Sequence, residues 1–392
     1  MRIALIATAD RGSGEGVEPA IIAGKSIARH QLDFALALRC EKVLSIGHGA
    51  APESIGLRQA AEAHGAHFQV IRGSRDLPAA IRGDDQLLVL AHGLLPESPR
   101  AFALLKEGYR VLVLPAEPGW GAGFERLDLT SAWGGAMVIP GRLADQLDQL
   151  PEDAEPIASL LRIARQAGVP ERTLPESELA EGRWQIVRTG EAAQAQEPAW
   201  LRRRLPPGTA NRPTAWIARF SLRRFGVSLI GGSRTLAAIA ALAGLLIIGA
   251  VAAEWFGFPA MGFILLALAA LSNEAVDGFM LLQRSIFADE SKPSRLNFAL
   301  RLMWDLALVA TGALAIDATR AERLFPPLVA AGMLRMIPPW ADADWRTLAT
   351  DRGVLAILLA IAAAVGFAEG AFMILAVLLI LLRIAPGSEQ RG

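Results

Sequence analysis

Two patterns of hydrophobic and polar positions divide the chain. Through residue 190, short apolar runs alternate with amphipathic stretches. The runs Arg2–Thr8, Lys42–His48, Phe68–Arg72, Gln86–Leu90 and Arg110–Pro115 have the length and composition of buried strands. Between them, Ala20–Arg39, Glu53–His64, Pro99–Tyr109 and Pro156–Ala167 read as helices. This alternation predicts an α/β domain over 1–190 with a mostly parallel sheet covered on both faces. From Thr235 onward the pattern changes. Thr235–Ala253, Phe258–Leu282 and Phe298–Ile316 are each long and apolar enough to cross a bilayer. Leu324–Ile337 is a shorter fourth segment, interrupted by Arg335. Val354–Ile384 is too long for one untilted span and carries Glu369-Gly370 in its middle. It reads as two short helices, a single long helix being the alternative. The expected second part, over 213–388, is an all-α polytopic membrane domain of about six spans with both ends on the same side.

Between the two parts, residues 186–212 are enriched in Gln, Pro and Arg, and 191–212 reads as a linker. From Pro198 to Arg234 there are eight arginines and no acid. A basic stretch bearing Trp and Phe beside a span belongs at the interface, facing anionic headgroups. Arg212, Arg219, Arg223 and Arg224 are the headgroup candidates, and membrane lipids the expected partners. The same bias puts the α/β domain on the cytoplasmic side of the inner (cytoplasmic) membrane, in a multi-pass protein. Acids and bases balance at 39 each. With the spans accounting for the basic stretch, no nucleic-acid partner is expected. Cys40 is the single cysteine, so no internal disulfide forms. The opening Met1–Gly12 stretch lacks a basic leader and cleavage pattern, and reads as a first strand.

Ligands in parallel sheets bind beyond the carboxyl ends of strands. That directs attention to the loop 9–19, with Gly12, Gly14 and Gly16. Glycines let a backbone approach phosphate, but Glu15 and Glu18 repel it. A plain turn and a nucleotide loop both stay open, with Arg11, Gly12, Gly14 and Lys25 the candidates for the latter. His64 and His67 have no third ligand in sequence reach and read as surface histidines. Asp128, between a strand-like Phe124–Leu127 and Trp133-Gly134-Gly135, reads as a turn aspartate. In the membrane domain, Glu274 and Asp277 are three apart, and Arg301 and Asp305 four apart. Each pair shares a helix face, and the inside-start topology brings both to one depth. Ionisable groups inside spans are costly, so these four are the leading functional candidates.

Two resemblances bear on them. The stretch Ile6–Gly14, then Glu18-Pro19-Ala20 and Gly24-Lys25, resembles the opening of sugar-phosphate nucleotidyltransferases, which have a GT-A, Rossmann-like fold. Ala20 stands where that family's phosphate-binding lysine follows the proline, and His92-Gly93 stands where its metal-holding Gly-Asp ends a strand. The membrane part resembles the CDP-alcohol phosphotransferases, whose signature is D-x2-D-G-x2-A-R-x8/9-G-x3-D-x3-D. Glu274-Ala-Val-Asp277-Gly278 matches its first part, with Glu for the first Asp; Leu281-Leu282 replaces Ala-Arg, and the connection is longer. Asn297-x3-Arg301-x3-Asp305 replaces Gly-x3-Asp-x3-Asp. The order of domains is similar to that of the bifunctional di-myo-inositol phosphate phosphate synthases.

The resemblance implies a site where Glu274, Asp277 and Asp305 hold Mg²⁺ or Mn²⁺ and Asp305 is the catalytic base, on a CDP-alcohol or lipid phosphate. Arg301 argues against that chemistry, because a guanidinium neither ligates a metal nor gives up its proton. The leading expectation is therefore a degenerate relative with no cofactor. Arg301 replaces the metal as an ion-pair partner, and the chain is a non-catalytic or lipid-binding partner in phospholipid or phosphodiester biosynthesis. An active transferase with an altered metal site is one alternative, and a transporter or membrane scaffold another. A homodimer or a partner enzyme is compatible with all three.

Overall fold

The structure, a computed structural model, describes residues 1–8, 20–47, 49, 51–151, 154–206, 211–230, 235–283, 287, 295–317, 319–336 and 344–384. The chain divides into two compact units, Met1–Trp200 with Ser285–Ala288, and Leu201–Arg284 with Asp289–Gly392.

The first unit runs β1 (Arg2–Ala7), β2 (Ile21–Ile22), β3 (Lys25–Ser26), α1 (Ile27–Ala37), β4 (Lys42–Ile46), α2 (Pro52–Ala63) and β5 (His67–Ile71). It continues through α3 (Asp76–Ala80), β6 (Gln86–Leu90), β7 (Leu94–Pro96), α4 (Pro99–Lys106), β8 (Arg110–Pro115), α5 (Ala116–Gly121) and β9 (Ser131–Pro140). A 3-10 segment (Gly141–Gln149) follows, then α6 (Pro156–Gln166), β10 (Glu171–Thr173), α7 (Ser177–Ala180), β11 (Trp184–Ile186) and α8 (Gly190–Arg204). Seven strands form the main sheet in the order β10-β8-β9-β6-β1-β4-β5, parallel except for β9. The central strands are apolar on both faces, as a doubly covered sheet requires: Ile3, Leu5 and Leu87 on one face and Ala4, Ile6 and Leu88 on the other are fully buried. Helix starts follow local chemistry. Ser26 accepts from Arg29 N at α1, and Ser98, ahead of Pro99, accepts from Ala101 N at α4. Phe287 belongs to this unit by its contacts, stacking on Phe102 with centroids 4.5 Å apart.

Four stretches differ from the sequence expectation. Residues 21–26, read as the start of a helix, form a hairpin that turns through Ala23-Gly24 with φ of 53° and 71°. Two consecutive positive φ values are the requirement of a tight hairpin turn. Between 191 and 212, read as a linker, α8 forms instead. Its Glu197 accepts from the Ala23 backbone N–H at 2.7 Å, and its buried Trp200 stands edge-on to His30. Tertiary contacts thus order a stretch whose own composition does not. The long strand β9 carries no clear alternation, because Gly134-Gly135 interrupts it. Gly134 is required by packing: a Cβ there would come within 3.0 Å of Leu112 O. Phe124–Leu127 is not a strand, and only Arg126 bridges to Ala132.

The second unit is helical: α9 (Pro213–Ile230), α10 (Thr235–Trp255), α11 (Pro259–Gln283), α12 (Arg295–Ala315), α13 (Arg320–Met336), α14 (Asp344–Ala349), α15 (Arg352–Ala364) and α16 (Ala368–Ile384). Among the described residues, α10, α11 and α12 are long and apolar enough to cross a membrane, with shorter apolar helices at Arg352–Ala364 and Ala368–Leu381. Their outward faces are apolar: Leu245 and Ile248 are exposed, whereas Ala243 and Ala250 are buried. A helix apolar on its outside as well as its inside has lipid, not water, as its surroundings. The last hydrophobic stretch is two helices, broken at Gly366, whose φ is 73°. Pro326-Pro327 lie within α13, and Gly312 of α12 makes room for them, since a Cβ there would meet Pro327 at 2.7 Å.

In the first unit, Asp33 is held by Lys25 Nζ at 2.7 Å and Arg29 Nε at 3.0 Å. Burial alone pushes its carboxyl up, but the charges and bonds of Lys25 and Arg29 outweigh it and hold the group below its usual range. A depressed carboxyl contributes stability above its unfolded value, about 3.9, and loses it as pH falls through the folded value. Asp33→Asn therefore lowers stability at neutral pH, and the gap from wild type closes below about pH 4. Thermal melts of both proteins across pH 2.5–7 check this.

Candidate functional site

The polar cluster in the second unit is assembled from α9, α11, α12, α13 and α15, and it contains two carboxylate centres. In the first, Asp277 of α11 faces α12. Arg301 Nη2 donates to Asp277 Oδ2 at 2.5 Å, and Asn297 Nδ2 donates to Asp277 Oδ1. Asn297 and Arg301 are one turn apart, so a single face of α12 supplies both donors. Glu274, one turn before Asp277, has Asp277, Arg301, Asp351 and Arg212 as neighbouring charges. Among the described residues it makes no direct ion pair.

The second centre is Asp305, 4 % exposed. Arg352, the first residue of α15, donates to Oδ1 from Nε at 3.2 Å and from Nη2 at 3.0 Å. Arg335, near the end of α13, donates from Nε to Oδ2 at 2.7 Å. Each guanidinium also covers a ring: Arg352 lies 5.5 Å from the Trp304 centroid, and Arg335 5.5 Å from that of Phe298. A cation at the start of a helix opposes the helix dipole. Asp351 offsets this as the N-cap of α15, accepting from Gly353 N at 3.0 Å and Val354 N at 3.2 Å. Asp351 also accepts from Thr214 N at 3.1 Å and from the Thr214 hydroxyl. It therefore ties the start of α9 to the start of α15. Gly353 permits that approach, because a side chain there would run into Thr214.

Of the three carboxylates that the sequence offers to Arg301, one takes it. Arg301 bonds Asp277, while Asp305 belongs to Arg335 and Arg352. Sequence reasoning noted Arg335 only as an interruption and passed over Arg352. The available signal was that each is a cation at the edge of an apolar helix and needs a partner. The arrangement also bears on metal binding. Mg²⁺ and Mn²⁺ need several converging oxygens. Here guanidinium groups lie against the oxygens of Asp277 and Asp305. Among the described residues no group of three or more His, Cys, Asp or Glu can hold a metal ion. The residues present do not fit a divalent metal.

The interfacial arginines divide. Arg223 donates from Nε to Leu205 O at 2.7 Å and from Nη2 to Arg202 O at 3.3 Å, and Arg219 reaches Pro206 O at 3.5 Å. Arg223 thus meets carbonyls at the end of α8, where a cation is favoured, rather than standing free for headgroups. Arg224 is exposed, and Arg212 is one of the charges near Glu274.

In the first unit, Arg11, Gly12 and Gly14 lie outside the described residues, and Lys25 pairs with Asp33. Asp128 accepts from the Ser131 hydroxyl at 2.7 Å and from Thr130 N at 2.9 Å, which hold its carboxyl well below the usual range. It is a turn residue, bridged by Arg165 at 3.2 Å. His64 Nδ1 lies 2.9 Å from Ala60 O. Burial pushes the Cys40 thiol up to about 12, which leaves it unreactive.

No protein-family model matches the chain, and neither does any curated protein sequence.

The two centres differ in burial, and their energetics follow. Asp305→Ala leaves two guanidiniums facing each other without a counter-charge, and is expected to cost about 3–5 kcal/mol. Arg301→Ala is expected to cost about 1 kcal/mol or less, because the Arg301 side chain is 47 % exposed. Unfolding of the full chain in detergent measures both; a larger loss for Arg301→Ala would reverse the ranking.

Proposed function

We propose that this chain is a multi-pass protein of the inner (cytoplasmic) membrane with six spans and a cytoplasmic α/β domain. It is related to the CDP-alcohol phosphotransferases fused to a nucleotidyltransferase-like domain. It acts as a non-catalytic, lipid-binding partner in phospholipid or phosphodiester biosynthesis, and it carries no metal. The observation that supports this most directly is Asp305. The residue that would serve as base is clamped by Arg335 and Arg352. With guanidinium N–H groups on both of its oxygens, it has no free lone pair directed at an attacking hydroxyl.

The same residues support binding of a lipid phosphate. A guanidinium has five N–H donors, and a carboxylate takes only some of them. Arg301 and Arg335 are both more than one-third exposed, which leaves donors available for phosphate oxygens. Arg224 adds a headgroup contact at the interface.

Two measurements test this reading. Purified full chain in liposomes, supplied with CDP-diacylglycerol, an alcohol acceptor and Mg²⁺ or Mn²⁺, is expected to release no CMP above background. CMP release that disappears in Asp305→Asn would overturn the non-catalytic assignment. For the topology, Arg284, Lys292 and Arg295 continue the basic bias of the connection after α11. A reporter fused after Ser291 is expected to score as cytoplasmic, and a periplasmic score would reverse the orientation.

A further inference from the structure

The ion pairs leave one set of polar groups in the cluster unused. Asn273 of α11 is 7 % exposed, and neither its Nδ2 nor its Oδ1 has a partner among the described residues. The Oδ1 of Asn297 is likewise buried and without a partner there. Orphaned buried amides cost roughly 1–3 kcal/mol each. They call for an occupant that is not part of the polypeptide. Asn273 is four residues before Asp277, so it lies on the same helix face, about 6 Å further along the axis. The Asp277–Arg301 pair above it is open to the surroundings, with Arg301 47 % exposed and Asp277 20 %.

We infer that Asn273 and Asn297 form a subsite for the hydroxyl groups of a lipid headgroup whose phosphate meets the arginines, an inference that rests on the lipid-binding reading above. The donor and acceptor inventory selects the chemistry. Two amide carbonyls require donors, and the Asn273 amide N–H groups require an acceptor. A hydroxyl both donates and accepts, so a polyol headgroup satisfies all three. A phosphate has acceptors only and leaves both carbonyls orphaned. A quaternary ammonium neither donates nor accepts. Glu274, with no direct ion pair among the described residues, supplies a further acceptor for a second hydroxyl.

Phosphatidylglycerol and phosphatidic acid separate the two parts of this inference, because both carry a phosphate and only the first carries free hydroxyls. Binding to the purified full chain is measured by titrating each short-chain lipid in detergent. Phosphatidylglycerol is expected to bind about tenfold more tightly, the loss expected from leaving such groups unpaired. Asn273→Leu is expected to erase that advantage while leaving phosphatidic acid binding unchanged. Asn273→Ala, which only removes atoms, gives the same readout if the leucine variant does not fold. Equal binding of the two lipids by the wild type overturns the hydroxyl subsite, as would a buried water satisfying Asn273, yet leaves the phosphate reading standing. A phosphatidylglycerol advantage that persists in both variants also overturns it. If neither lipid binds, the lipid-binding reading fails and the subsite with it.

Discussion

Asp305 is the group around which the helical unit is arranged. A carboxylate 4 % exposed within an apolar bundle is tolerated only with cations at bonding distance, and two helices provide them. Arg335 ties α13 to α12, and Arg352 ties α15 to α12. Because Arg352 opens α15, Asp351 must cap that helix, and Asp351 in turn holds Thr214 at the start of α9. One buried charge thus leads, by successive requirements for a counter-charge and a cap, to contacts among four helices. The small residues Gly312, Gly278 and Gly353 permit the close approaches. A side chain at Gly278, for example, would meet Leu222 of α9 at 2.6 Å.

That economy bears directly on function. Negative charge at such a site can be balanced by a metal or by guanidinium groups, but the same oxygens cannot serve both. With arginines on Asp277 and Asp305, the cluster keeps its electrostatic balance within the bundle. Its open cations suit an anion, and its orphaned amides suit a hydroxyl.

The α/β unit follows a different logic. Its sheet is stabilised by strands buried on both faces, and several of its carboxylates serve local turns and ion pairs: Asp128 closes a turn, Asp33 collects Lys25 and Arg29, and Asp85 accepts from Arg82 N at 2.8 Å. Helix α8 holds the β2–β3 hairpin through Glu197 and packs Trp200 against His30 of α1. Ala23 in that hairpin adopts a positive φ, an unusual conformation for a residue with a Cβ. The hydrogen bond from its N–H to Glu197 helps to hold it there.

The period and length of apolar runs determined much of this protein. Parallel strands at Arg2–Ala7, Lys42–Ile46 and Gln86–Leu90, three long apolar helices, and the break within the last hydrophobic stretch were all legible, because each is dictated by local burial. The charges at 274, 277, 301 and 305 could be singled out, because an ionisable residue in an apolar run is conspicuous. The pairing among them could not. Spacing along a helix says which residues share a face, but not which neighbouring helix faces them. Arg335 and Arg352, 30 and 47 residues beyond Asp305, reach it only through the packing of α13 and α15 on the bundle. The same holds for β9, whose glycines hide its alternation, and for α8, whose order comes from contacts with residues more than 170 positions earlier. Local pattern determined the elements; long-range electrostatics and close backbone approach decided how their polar groups combine.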